Sequence, residues 1–127
     1  MKFGVNYTPS HGWFHAWLDP DWDGIDNDLK QISELGMDHV RIFPIWPYLQ
    51  PNRTWINKKG VADVRRMVHI AGEHGLDAYV DVFQGHLSSF DFLPSWLVTW
   101  HAGNMFTDAD AVAAVSYTHL TLPTICS

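Results

Sequence analysis

One cysteine, Cys126, is all that the 127-residue chain holds, so a disulfide framework is excluded. Positive charge is scarce as well. Eight Lys and Arg stand against fourteen Asp and Glu, for a formal net charge of −6. A nucleic-acid partner needs a basic surface, and this balance argues against one. No stretch approaches the roughly 18 apolar residues that a membrane span needs, so no membrane partner is expected. The N-terminus has no signal-peptide pattern: Met1-Lys2 runs straight into Phe3-Gly4-Val5-Asn6-Tyr7, which reads as a strand. A cytoplasmic product is the resulting expectation. A glycine-rich phosphate loop is also missing, since Gly4 stands alone in the first strand, and this counts against a doubly wound nucleotide-binding fold.

What is present is a soluble globular balance, 46% hydrophobic and 17% charged, in a chain long enough for one real core. Aromatics are prominent. Of seven Trp, Trp13, Trp17, Trp46, Trp96 and Trp100 fall in predicted loops or near strand ends. Two readings are open: Trp packs because it is highly buried on average, or exposed rings form platforms for the apolar face of a sugar.

The first strand is Phe3 to Tyr7, followed by a polar and aromatic loop from Thr8 to Leu18. Asp19-Pro20 reads as N-cap and N1 of a helix, because proline presets φ and needs no N–H there. Ile25, Leu29 and Ile32 give that helix an apolar stripe, and Gly36 is the expected turn after it. A second strand runs from His39 to Phe43 and stops at Pro44. The loop from Ile45 to Lys59 precedes a helix striped by Val61, Val64, Val68 and Ala71 and ended by Gly75. A third strand covers about Ala78 to Phe83. A second long loop, Gln84 to Phe106, leads to Thr107-Asp108-Ala109-Asp110, which resembles a capping box with Asp in place of Glu and should start a third helix.

An internal repeat supports this layout. Glu34-Leu35-Gly36-Met37-Asp38 matches Glu73-His74-Gly75-Leu76-Asp77 at an offset of 39 residues, each copy carrying a helix end into a strand. Such a period with strand–helix alternation means successive βα units, and right-handed crossovers make their strands parallel and adjacent. Every strand-to-helix loop is long and aromatic, and every helix-to-strand connection is a short glycine turn. That asymmetry predicts the first three βα units of an incomplete (β/α)8 TIM barrel, whose site lies at the C-terminal strand ends.

The pattern breaks after Ala114. Val115 to Thr124 carries no helical stripe, alternates weakly and ends in proline, in the middle of what should be a helix. The run resembles translated read-through of a transposase-type sequencing-library adapter. The alternative is a natural edge strand. On the first reading the segment is set aside from fold reasoning.

Arg41 is the informative charge, alone in the apolar strand Val40-Arg41-Ile42-Phe43. With Val40 and Ile42 facing helices, it points into the barrel, where a guanidinium needs a carboxylate partner. It either reaches solvent at the strand edge or orients a catalytic carboxylate. Phe3-Gly4-Val5-Asn6-Tyr7 and Glu34 to Ile42, joined by the loop Phe43-Pro44-Ile45-Trp46-Pro47-Tyr48-Leu49-Gln50-Pro51, resemble the opening of clan A retaining glycoside hydrolases. They are most similar to the cellulase-like family 5, including its β-mannosidase-type members. The resemblance covers residues 1–114, about the first third of such an enzyme, and leaves 115–127 as a non-native tail.

The resemblance implies hydrolysis of O-glycosyl bonds with retention, a carbohydrate substrate of β-mannoside type, and no cofactor or metal. It carries to Arg41 the role of contacting the nucleophilic carboxylate. It places both catalytic Glu at the ends of strands four and seven, outside this chain, so the chain itself is expected to be inactive. Asn6 and Tyr7 at the first strand end, with His11, Trp13, Trp46 and His86, are the substrate-binding candidates. One departure stands out. Many family members carry a His two positions after the third-strand Asp, where this chain reads Asp81-Val82-Phe83. His86, three residues on, is the candidate to take over the sugar contact. Asp81 is expected to order polar groups at the strand end, and Asp91 a loop. Two alternatives stay open. A related clan A β-galactosidase is suggested by Pro9-Ser10-His11-Gly12-Trp13, which lacks the Glu of its Pro-Glu-His-Trp signature. A non-catalytic carbohydrate-binding barrel would also use aromatic loops.

Overall fold

A computed structural model describes residues 1–82, 84–87, 89–100 and 107–116. The chain forms two compact units, one from residues 1–44 and 63–81, the other from 45–62 and 82–127.

The first unit holds a parallel sheet of β1 (Gly4–Tyr7), β2 (His39–Ile42) and β3 (Asp77–Val80) in that order. The register aligns Asn6, Arg41 and Tyr79 in one row and Tyr7, Ile42 and Val80 in the next. Alternation of the pleat sorts the faces. Val40 and Ile42 are fully buried, while Asn6, Arg41 and Tyr79 lie on the open face. Helix α1 (Trp22–Glu34) adds Ile25 and Leu29 to the core, and α3 (Lys58–Glu73) contributes Val64, Met67, Ile70 and Ala71 within this unit. Val68 is only half-buried, so the stripe of α3 runs through Met67 instead. These are three strands of a barrel, and within this unit the described helices add their buried residues to the covered face of the sheet. The face left open is the one that lines the interior of a closed (β/α)8 barrel.

The repeat has a structural cause. Gly36 and Gly75 both adopt left-handed backbone, φ 89° and 74°. At the end of α3 the Gly75 N–H donates to Gly72 O at 3.0 Å and the Leu76 N–H to Ala71 O at 2.9 Å, the paired bonds that close a helix on glycine. Asp77 N–H then donates to Asp38 O at 3.0 Å, which sets the two strand starts side by side.

The first helix starts later than predicted. Asp21, not Asp19, is its cap, because the Asp21 carboxylate accepts from the Gly24 N–H at 3.2 Å. Asp19 instead closes a 3-10 helix, Trp13–Leu18, where an open loop was expected. Phe14, Ala16 and Trp17 of that turn are buried, and the Trp17 indole donates to Phe43 O at 2.9 Å.

The second unit contains α2 (Trp46–Leu49), the first turn of α3, a short hairpin of β4 (His86–Leu87) and β5 (Phe90–Asp91), α4 (Ser95–Trp100) and a helical run over 109–116. Its core gathers Trp46, Trp96, Leu97, Ala111 and Ala114, with Leu93 and Val115 packed against it. The last helix is capped by Asp108 rather than Thr107. The Asp108 carboxylate accepts from the N–H of Asp110 at 3.0 Å and of Ala111 at 3.1 Å. Helix persists through 116, two residues past Ala114, and the rest of the adapter-like run lies outside the described residues. No described helix is long and apolar enough to cross a membrane.

Candidate functional site

The open face of the three-stranded sheet carries a concavity of about 450 Å³ lined by Gly4, Val5, Asn6, His39, Arg41, Tyr79, Val80 and Asp81. Its floor is built at the strand starts. The His39 ring lies so close over Gly4 that a Cβ there would sit 2.1 Å from it and would have to displace the ring. His39 is held from two sides: Nδ1 lies 2.6 Å from the Asp38 carboxylate, and the ring meets Tyr79 edge-on at 5.3 Å. The His39 hydrogen bond in turn holds the Asp38 carboxyl below the usual carboxylate range.

Arg41 stands one row higher, toward the C-terminal strand ends. Its side chain is 49% exposed, and its Nη2 donates to Asp81 Oδ2. The guanidinium also lies over the Phe43 ring, 5.1 Å from the centroid. Arg41 is therefore paired with the Asp81 carboxylate and half open to solvent. A guanidinium has five N–H donors in a rigid fork, so engagement at Nη2 leaves capacity for a second carboxylate. Asp81 orders a polar group at the strand end, as its position suggested. His39 and Tyr79 went unnoticed in the sequence. The signal was there, since period-two alternation from Arg41 and Asp81 puts both on the same face.

The other candidates separate. Asn6 lines the concavity with Arg41, whereas Tyr7, one residue on, turns to the covered face and is buried. Its hydroxyl donates to Asp28 Oδ2 at 2.9 Å, and Asp28 also accepts from the Ser10 N–H and hydroxyl, both at 3.0 Å. One α1 carboxylate thus pins the start of the loop that bears His11 and Trp13. Both are exposed, Trp13 to 38%. Trp13 follows the left-handed Gly12 and itself has φ 54°, an uncommon conformation for a bulky residue. Trp46 and His86 belong to the second unit. Trp46 is only 3% exposed, and its indole donates to Gln50 Oε1 at 3.1 Å, so it packs in a core. His86 is exposed and pairs through Nδ1 with Asp91 at 2.7 Å across the hairpin. No cluster of three or more His, Cys, Asp or Glu that could hold a metal ion occurs among the described residues.

Burial, then the Asp28 hydrogen bond and the negative charges of Asp28 and Asp21, push the Tyr7 phenol far above its ordinary 10.0. The folded state keeps this proton where the unfolded chain releases it. Tyr7 therefore contributes its full stabilisation below pH 10 and loses it as pH rises beyond. In the intact protein, urea melts should lose about 1.4 kcal/mol more per pH unit above pH 10 than those of Tyr7→Phe. Parallel alkaline slopes in the two proteins would contradict this assignment.

No family model matches the chain. Solved structures do. GH5_18 from Bifidobacterium longum subsp. longum ATCC 55813, a Glu-to-Ala variant of which was solved with Manβ1-4GlcNAc, is 91% identical over 99% of this chain and 30% of its own, with a TM-score of 0.94. GH5_18 from Streptomyces cattleya, solved with GlcNAc, is 54% identical over 98% of this chain and 30% of its own, TM-score 0.92. The exo-β-1,4-mannosidase Op5Man5 from Opitutaceae bacterium strain TAV5 is 26% identical over 98% of this chain and 22% of its own, TM-score 0.91. The chain spans less than a third of each of these proteins. Three parallel βα units, the open inner face carrying Arg41, and these matches make it an N-terminal portion of a glycoside hydrolase family 5 (β/α)8 barrel.

Proposed function

We propose that the intact protein is a retaining β-glycosidase acting on β-mannosides, with a Manβ1-4GlcNAc-like disaccharide as its substrate class. The observation that carries this reading is Arg41, held by Asp81 and Phe43 at the C-terminal end of β2 on the inner face. The neighbours solved with Manβ1-4GlcNAc and GlcNAc favour the mannoside over other sugars. Retention needs two carboxyl groups about 5–5.5 Å apart, one protonating the leaving oxygen and one attacking the anomeric carbon. No such pair is offered by the described residues of the site, where Asp81 is committed to Arg41. Both glutamates belong to strands beyond β3. In this scheme Arg41 keeps the attacking carboxylate ionised and oriented, Asn6 reaches sugar hydroxyls, and His11 and Trp13 wall a subsite from the loop after β1. His86, on the hairpin of the second unit, is a further candidate for sugar contact.

Hydrolysis of Manβ1-4GlcNAc and of p-nitrophenyl β-mannoside by the full-length enzyme tests the proposal. NMR should show the β-anomer of mannose first, and the 127-residue chain alone should turn over neither substrate. First appearance of the α-anomer, or preference for a β-galactoside, would overturn it. Sugar binding without turnover by the intact protein would favour a non-catalytic barrel.

A further inference from the structure

Arg41 can serve a nucleophile only if its fork is aimed, and a half-exposed side chain on an open sheet face is not aimed by burial. Three contacts do so instead. Asp81 Oδ2 accepts from Nη2, Phe43 lies beneath the guanidinium plane, and the Asp81 N–H donates to Ile42 O at 3.0 Å. The last contact ties the backbone of Asp81 to the residue between Arg41 and Phe43, so clamp and clamped group share one register. We infer that Asp81 is a positioning residue for Arg41, fixing one edge of the guanidinium so that its remaining donors meet the nucleophilic carboxylate. This rests on the glycosidase reading above.

The surroundings leave Asp81 as the controlling charge. From β1 the face presents neutral Asn6, from β3 Tyr79, and just after β3 Asp81; His39, two residues back on β2, is engaged by Asp38. Removing the Asp81 charge makes the field at the nucleophile more positive. A carboxylate there then ionises at lower pH, and the acid limb of the rate profile reports it.

Asp81→Asn and Asp81→Glu in the full-length enzyme test this. Asp81→Asn should lower kcat about tenfold with KM within about twofold, because a misaimed group costs rate more than binding. The acid limb should move down by about half a pH unit, and Asp81→Glu should restore most of kcat. The melting temperature should hold within about two degrees, since a partly exposed ion pair contributes little to stability. An unmoved pH profile overturns the inference, whether kcat is unchanged or falls in step with the melting temperature. If the wild-type enzyme cleaves no β-glycoside, the glycosidase reading fails first and this inference falls with it.

Discussion

Replacing Gln50 with leucine should destabilise the intact protein by about 3 kcal/mol and, in a chain of this family's full length, lower its melting temperature by about 3–4 °C. Gln50 is 0% exposed, the most buried polar side chain among the described residues. Its Oε1 accepts from the Trp46 indole at 3.1 Å, while Nε2 donates to Arg53 O at 3.2 Å and Ala114 O at 3.1 Å. Its backbone carbonyl accepts from the Trp96 indole at 2.8 Å. One amide thus joins α2, the following turn and the 109–116 helix around the aromatic core of the second unit. Leucine matches the shape closely but removes the polar end, so the buried Trp46 indole and Ala114 carbonyl and the part-buried Arg53 carbonyl lose this partner, each bond worth about 1 kcal/mol. The backbone bond to Trp96 survives, which keeps the expected loss below that of an unfolding lesion. A scanning-calorimetry midpoint within about one degree of wild type would show that these bonds are replaced by others.

Gln50 also marks where sequence reasoning stops. A glutamine between Leu49 and Pro51 in an aromatic loop reads as solvated, because its burial depends on Trp46, Trp96 and Ala114 arriving from elsewhere in the chain. The same gap hid the hairpin His86–Asp91, whose strands of two residues each are too short to show a period, and α4 within a segment read as loop. By contrast, the three parallel strands and two long helices were legible because each rests on local chemistry: alternation in the strands, a stripe in the helices, and a glycine forced to positive φ at each helix end. Caps were legible in kind but not in position. Asp21 and Asp108 do what was assigned to Asp19 and Thr107, since the reach of a carboxylate to an N–H two or three residues on depends on where the preceding turn stops. At the site, Arg41 stood out because a lone charge in an apolar strand needs a partner, and Asn6 shares its face through the register. Trp46 shows the reverse. Its aromatic loop made it a substrate-binding candidate beside the ordinary packing reading, and the ring is spent on packing.

Arg41→Ala should reduce kcat of the full-length enzyme about 100-fold, the largest effect expected of any residue in this segment. The argument follows from what the guanidinium holds. With Asp81 on one edge and Phe43 beneath, Arg41 offers a fixed positive charge and free donors at the strand end where retaining chemistry would place its attacking carboxylate. Alanine removes both the charge and the orientation. The carboxylate then ionises at higher pH, so the acid limb of kcat/KM should move up, opposite to the shift expected for Asp81→Asn. Lysine should recover part of the charge effect but little of the orientation, because a point charge on a flexible stem cannot bridge two carboxylates as a planar fork does. Stability should change little, as the side chain is half exposed and the strand's own anchors are Val40 and Ile42 on the opposite face. The opposed pH shifts separate this from simple damage to the sheet, which would lower rate in both variants without moving either limb. An Arg41→Ala enzyme within a few-fold of wild-type kcat, with an unmoved acid limb, would remove Arg41 from the mechanism and leave its pair with Asp81 a purely structural contact.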